Sequence, residues 1–142
     1  MKQFWLGLII ALTGSIPAWG VTATGMPALD ELQADVIKNG ALSKRLGFTE
    51  KQRKDIQNLI DTESKPLVKL RDALLVAEAK FEKAKKTKNK PAIVAARTEK
   101  ETAAAVLQNA RDQSFNKLST LMTGAQFKDL KKWRAAGKAN IR

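Results

Sequence analysis

Residues 60–91 read IDTESKPLVKLRDALLVAEAKFEKAKKTKNKP. Ile60, Leu67, Leu74 and Phe81 recur at every seventh position, and Leu70, Ala77 and Ala84 fill a second position, with Glu63 as the exception. An apolar repeat of seven residues with two occupied positions is the seam of a coiled-coil-like helix. The seam runs out into Lys85-Lys86-Thr87-Lys88-Asn89-Lys90, which holds no apolar residue before Pro91. That stretch reads as the loop of a helical hairpin. Pro91 then sits in the first turn of the returning helix, where its missing N–H would have no intrahelical partner anyway. Pro66 lies inside the first arm. It removes a donor and crowds the preceding turn, so the sequence predicts a kink or break near residues 62–65.

Outward from this hairpin, the returning helix is expected from Pro91 to about Leu121, burying Ile93, Ala96, Ala103, Leu107, Ala110, Leu118 and Leu121. Its Ala103-Ala104-Ala105 run favours helix and lets a neighbour approach closely. The first arm starts after Gly47-Phe48 and runs to about Lys86. Arms of about 25–30 residues would each be roughly 40 Å long. A short amphipathic helix from Pro27, with Leu29, Leu32, Val36 and Ile37 on one face, ends at Asn39-Gly40. A last helix runs from Gly124 to about Ala136, with Gly137 as its stop. The expectation is therefore an all-α chain of four helices: a long hairpin with short flanking helices. Because a hairpin alone buries only one face of each arm, a second subunit is also expected, giving a homodimer. No segment alternates as a strand does, and no glycine-rich phosphate loop is present.

The chain begins like an exported protein. Lys2 precedes the apolar run Phe4-Trp5-Leu6-Gly7-Leu8-Ile9-Ile10-Ala11-Leu12, Pro17 ends it, and small residues follow. The reading is a cleaved signal peptide over residues 1–23, with cleavage after Gly20 as the other option, and a mature domain over 24–142. The apolar run is short for a membrane span, which needs about 20 residues. Of the formal +12 charge only Lys2 lies in the leader, so the mature chain carries +11. Such a charge selects acidic partners. Export sets nucleic acid aside and favours anionic lipid surfaces or acidic, unfolded proteins. The chain contains no cysteine and no histidine. That argues against a disulfide framework, zinc or copper centres, and the usual His-based catalytic arrangements. No catalytic residue, metal ligand or cofactor is assigned, and the chain is not expected to be an enzyme.

An internal repeat is more specific. Phe48-Thr49-Glu50-Lys51-Gln52-Arg53-Lys54-Asp55-Ile56 aligns with Met122-Thr123-Gly124-Ala125-Gln126-Phe127-Lys128-Asp129-Leu130. Thr-x-x-Gln after an apolar residue is a capping box: the threonine hydroxyl accepts from the N–H three residues on, and the glutamine reaches back to the threonine N–H. Met122 and Phe127 suit a hydrophobic staple. In the first copy Arg53 stands at the second staple position, so only its aliphatic stem can serve.

Two such motifs, Thr49/Gln52 and Thr123/Gln126, flanking a basic hairpin behind an export signal resemble the Spy/CpxP-like family of periplasmic proteins, whose signature is a pair of Leu-Thr-x-x-Gln motifs. The resemblance covers roughly residues 42–135; Phe48 and Met122 replace the leading leucines. It implies a periplasmic, hairpin-shaped protein that dimerises into a curved cradle. The implied activity is ATP-independent holding of unfolded clients on a basic, partly apolar face, or damping of a membrane stress-sensor kinase through its periplasmic domain. A metal-binding branch relies on His, Met or Cys positions, and with His and Cys missing it does not carry over.

The candidate client surface consists of apolar residues off the seam among basic ones: Lys65, Val68, Lys69, Arg71, Leu75, Val76 and Lys80 on the first arm, and Val94 and Val106 on the second. Exposed apolar patches give weak, adaptable contact, and surrounding charge gives fast capture. The hairpin tip carries Lys83, Lys85, Lys86, Lys88 and Lys90, read either as a solvated end or as a capture point for acidic proteins. A third reading is a peripheral protein whose basic amphipathic helices bind anionic membranes. Carboxylate pairs such as Glu99 and Glu101 lie among lysines at helical spacing, where surface ion pairing accounts for them.

Overall fold

The computed structural model describes residues 26–139. The leader read over residues 1–23 lies outside the described residues. The chain is all-α, with a long helical hairpin. Among the described residues five α-helices follow one another: α1 (Pro27–Lys38), α2 (Ala41–Leu46), α3 (Glu50–Thr87), α4 (Lys90–Lys117) and α5 (Gly124–Ala139), with a 3-10 turn over Leu118–Leu121 between the last two. The count of four helices is thus one too low, α2 being the addition. The returning helix ends as an α-helix at Lys117, and its expected last turn, up to Leu121, is 3-10.

Pro27 opens α1, and Asn39, in the left-handed region at φ 48°, closes it. The short α2 is held from outside itself. Asp35 of α1 accepts from the Leu42 and Ser43 backbone N–H groups at 3.1 and 2.6 Å and from the Ser43 hydroxyl at 2.5 Å, so a carboxylate caps the positive end of α2. Gly40 makes this possible, since a Cβ there would fall onto the Asp35 carboxylate, 2.9 Å from its Cγ. Gly47, with φ 66°, ends α2 in the left-handed region that glycine adopts without steric cost.

α3 is continuous for 38 residues, about 57 Å at the usual rise. The break expected near residues 62–65 is absent: Pro66 lies within the helix. Ile60 and Leu67, on either side of the expected break, are both buried in one core, so side-chain contacts hold the helix across the lost hydrogen bond. Pro66 and Thr62 both lie on an exposed face of the helix. The tip is tighter than the sequence suggests. Only Lys88 and Asn89 separate α3 from α4; Lys88 takes a left-handed φ of 58°, and the Asn89 side chain caps α4 by accepting from the Ala92 N–H at 3.3 Å. At the other end α5 runs through Gly137 to Ala139, so Gly137 is not the stop. A glycine ends a helix by adopting positive φ, and Gly137 does not.

The core is at the base of the hairpin. Leu29, Leu32 and Val36 of α1, Ile56, Ile60 and Leu67 of α3, Leu107 and Phe115 of α4, Leu118, and Leu130 of α5 form one buried cluster. Beyond Leu74 toward the tip only Ala77 and Ala96 are fully buried apolar residues. The hairpin is therefore a packed base carrying a thin two-helix stalk. Glu63, the charged exception in the seam, accepts from the Ser114 hydroxyl and the Lys117 ammonium of α4, both at 2.8 Å. Burial raises the Glu63 pKa, but the bonds from Lys117 and Ser114 and the Lys117 charge outweigh it and hold the carboxyl below its ordinary value.

Candidate functional site

Both capping boxes form. The Thr49 hydroxyl accepts from Gln52 N at 3.1 Å, and Gln52 Oε1 accepts from Thr49 N at 3.0 Å. The Thr123 hydroxyl accepts from Gln126 N at 3.3 Å, and Gln126 Oε1 accepts from Thr123 N at 2.9 Å. The two boxes also meet. Gln52 Nε2 donates to Gln126 Oε1 at 3.0 Å and to the Leu121 carbonyl at 3.3 Å. Gln126 Nε2 donates to the Leu46 carbonyl at 3.0 Å, to that of Gly47 at 3.4 Å and, at 3.5 Å, to Gln52 Oε1. Each glutamine thus caps its own helix and ties down the chain entering the other helix, in an approximately two-fold arrangement. A capping box read locally gives no sign of this, and the only sequence signal was that the motif occurs twice. At the staple positions, Met122 and Phe127 pack against the core, and the Phe127 ring centroid lies 5.8 Å from that of Phe115. Arg53 instead points its guanidinium at the Val36 carbonyl of α1, at 3.5 Å.

The candidate client residues divide between two flanks of the hairpin. Lys80 and Glu99 form an ion pair across it at 2.6 Å. Residues four and seven apart share a helix face. Val76 therefore lies on the Lys80 side of α3, together with Lys69 and, one turn earlier, Lys65. Val106 lies on the Glu99 side of α4. Val76 and Val106 are exposed, at 57% and 47%. These five residues, together with the exposed Asp72 four before Val76, form one stripe that no other described helix covers.

Val68 and Leu75 fall on the other flank. They continue the line of Asp61, which accepts from the Gln33 side chain of α1 at 2.5 Å. Leu75 is 55% exposed, but Val68 is only partly exposed, so its reading as an open contact is corrected: α1 packs alongside its line at the base. Arg71, also half-covered, pairs with Asp72 at 2.9 Å. Val94, the most exposed at 62%, lies one turn before Arg97 near the tip and joins neither group closely.

Phe81 does not complete the apolar seam. It is partly exposed, and its ring has Lys85, Arg97 and Lys100 within 5.3, 5.9 and 5.4 Å of its centroid. Nearby, the hydrogen bond from Lys85 holds Glu82 below its ordinary pKa; slight burial opposes this, and the charges of Lys85, Lys100 and Lys86 add to it.

Trp133, which sequence reading did not assign to any site, borders three clefts at the base, among α1, α2 and α5. The largest, about 460 Å³, also meets Met26, Gln108, Arg111 and Arg134. Arg134 is held by Asp112 at 2.5 Å and stacks 4.3 Å from the Phe115 ring, which gives it a structural role. Among the described residues no helix is long and apolar enough to cross a membrane, and no cluster of carboxylates suited to a metal ion occurs. Comparison of the chain with protein-family models, curated proteins and solved structures returned no match.

Proposed function

We propose that the protein is an exported, Spy/CpxP-like, ATP-independent chaperone that holds unfolded or acidic proteins on the uncovered flank of its hairpin. The observation that carries this reading is the stripe in which Val76 and Val106 stand exposed between Lys65, Lys69 and Lys80. Two valines in a lysine setting suit weak, reversible contact with partly unfolded chains, because the apolar area is too small to hold a folded partner tightly. The lysines draw acidic segments in from a distance and lose reach as salt rises. The work is binding alone, so it consumes no nucleotide. The signal-like leader supports a periplasmic setting.

The test is aggregation of an unfolding acidic client followed by light scattering, without ATP. The protein should suppress scattering near stoichiometric ratio, and added salt should weaken the effect. Val76→Ser with Val106→Ser should lose most of the suppression while the helical signal is kept. A folded protein that gives no suppression at several-fold excess overturns the reading. Capture of one dominant envelope protein, in place of many, would favour the sensor-regulator reading.

A further inference from the structure

The clefts and the core lie at the base of the hairpin, while the charge accumulates at its far end. Residues 80–100 carry eight cations against two acids, Glu82 and Glu99, a net +6 that is half of the whole-chain +12. Both acids are already engaged, Glu82 with Lys85 at 2.8 Å and Glu99 with Lys80 at 2.6 Å. Lys83, Lys86, Lys88 and Lys90 are exposed and make no ion pair among the described residues. Like charges crowded in this way repel one another, and a counter-surface that neutralises them is favoured.

We propose that the hairpin tip is an end-on docking surface for an anionic lipid bilayer. Three observations select a bilayer over a folded acidic partner. Lys83, Lys85 and Lys86 leave α3 in directions about 100° apart per residue, Lys88 lies in the turn and Lys90 opens α4, so the charge surrounds the end of the hairpin and does not line one face. None of the three clefts reaches it. Seven of the eight cations are lysines, flexible point charges suited to mobile lipid headgroups and less so to fixed bidentate pairing. Pro91, Ala92 and Val94 are exposed within the same collar, and they give the tip a small apolar face for the headgroup boundary. Lys80 belongs to both this region and the client stripe, but Lys83, Lys86, Lys88 and Lys90 lie outside the stripe, so either surface can be altered without the other.

The experiment is co-sedimentation of the purified protein with phosphatidylglycerol-containing vesicles, with pure phosphatidylcholine vesicles as the baseline. Binding above baseline should appear and fall as salt rises past about 0.15 M, where the screening length shrinks below about 8 Å. At about five-fold per basic residue, the triple variant Lys83→Gln, Lys86→Gln, Lys90→Gln should weaken anionic-vesicle partitioning about 100-fold. A control triple at the base, Lys44→Gln, Lys128→Gln, Lys131→Gln, removes the same charge and should weaken it far less. Equal losses in the two triples would assign binding to net charge and overturn the proposal. So would absence of anionic preference in the parent protein. So would a tip triple that abolishes client holding with vesicle binding unchanged, because the tip would then be a protein site.

Discussion

Replacing Gln126 with alanine tests whether the two helix starts are separate caps or one joint. Gln126 makes two exposed capping bonds with Thr123, at 2.9 and 3.3 Å, of which its side chain supplies one. Its two shortest part-buried bonds run to Gln52 and to the Leu46 carbonyl, both at 3.0 Å; the longer contacts to Gly47 and Gln52 Oε1, at 3.4 and 3.5 Å, are left out of the sum. With net bonds worth about 1 kcal/mol each and the exposed one about half that, Gln126→Ala should cost about 2–3 kcal/mol. Gln52→Ala loses the equivalent set, including the bond to the Leu121 carbonyl, and should cost the same. Thr49→Ala removes only a local cap and should cost about 1 kcal/mol. The direct amide-to-amide contact is counted in both glutamine variants, so the double variant should fall short of their sum by about 1 kcal/mol. Urea unfolding of the parent and these four variants, followed by circular dichroism, gives all the terms. Glutamine losses no larger than the threonine loss, with additive effects in the double variant, would mean that the bonds across the two motifs contribute nothing.

Three other outcomes follow from single contacts. Glu63, held below its ordinary carboxyl pKa by Lys117 and Ser114, contributes stability that is present above its unfolded-state value and is lost as pH falls through its folded-state value. Glu63→Gln should therefore cost about 1 kcal/mol at neutral pH, and the difference from the parent should vanish under acid unfolding; a gap that persists at low pH contradicts the assignment. Gly40→Ala should destabilise by about 2 kcal/mol by displacing the Asp35 carboxylate from the start of α2, whereas the exposed Gly124→Ala, which has open space around its Cβ position, should be neutral or stabilising. Pro66→Ala should raise stability by about 1–3 kcal/mol, since α3 is already helical on both sides of the site and regains a hydrogen bond; a decrease in urea midpoint would show that the proline serves the native geometry.

The hairpin was legible because its seam residues meet one another: Ile60, Leu67, Ala77, Ala96 and Leu107 are all buried. Even the misfit Glu63 sits in the seam, since two donors from α4 satisfy it there. What sequence reading missed depends on partners distant along the chain or in space. Ala41–Leu46 is too short to announce a helix by periodicity, and its cap comes from Asp35, in the preceding helix. The local cost of Pro66 predicts a break, and the core on both sides overrides that cost. Phe115, fully buried, falls off the stripe expected from the sequence, and α5 covers it through Phe127 and Arg134. Of the candidate client surface, composition identified the exposed valines, but the division into two flanks required the pair of Lys80 with Glu99 across the hairpin and that of Gln33 in α1 with Asp61 in α3.

The thin stalk has a consequence for how the molecule opens. Its helices are held beyond Leu74 by alanine contacts, an ion pair and cations around one ring, while the base is held by large aliphatic and aromatic residues. Local opening should therefore start at Lys88-Asn89 and travel toward the base, as a zipper parts from its free end. Backbone amides in α3 should exchange with solvent in a gradient, fastest near Thr87 and slowest near Ile60. The far end of the hairpin can then splay and re-form many times within one lifetime of the folded base.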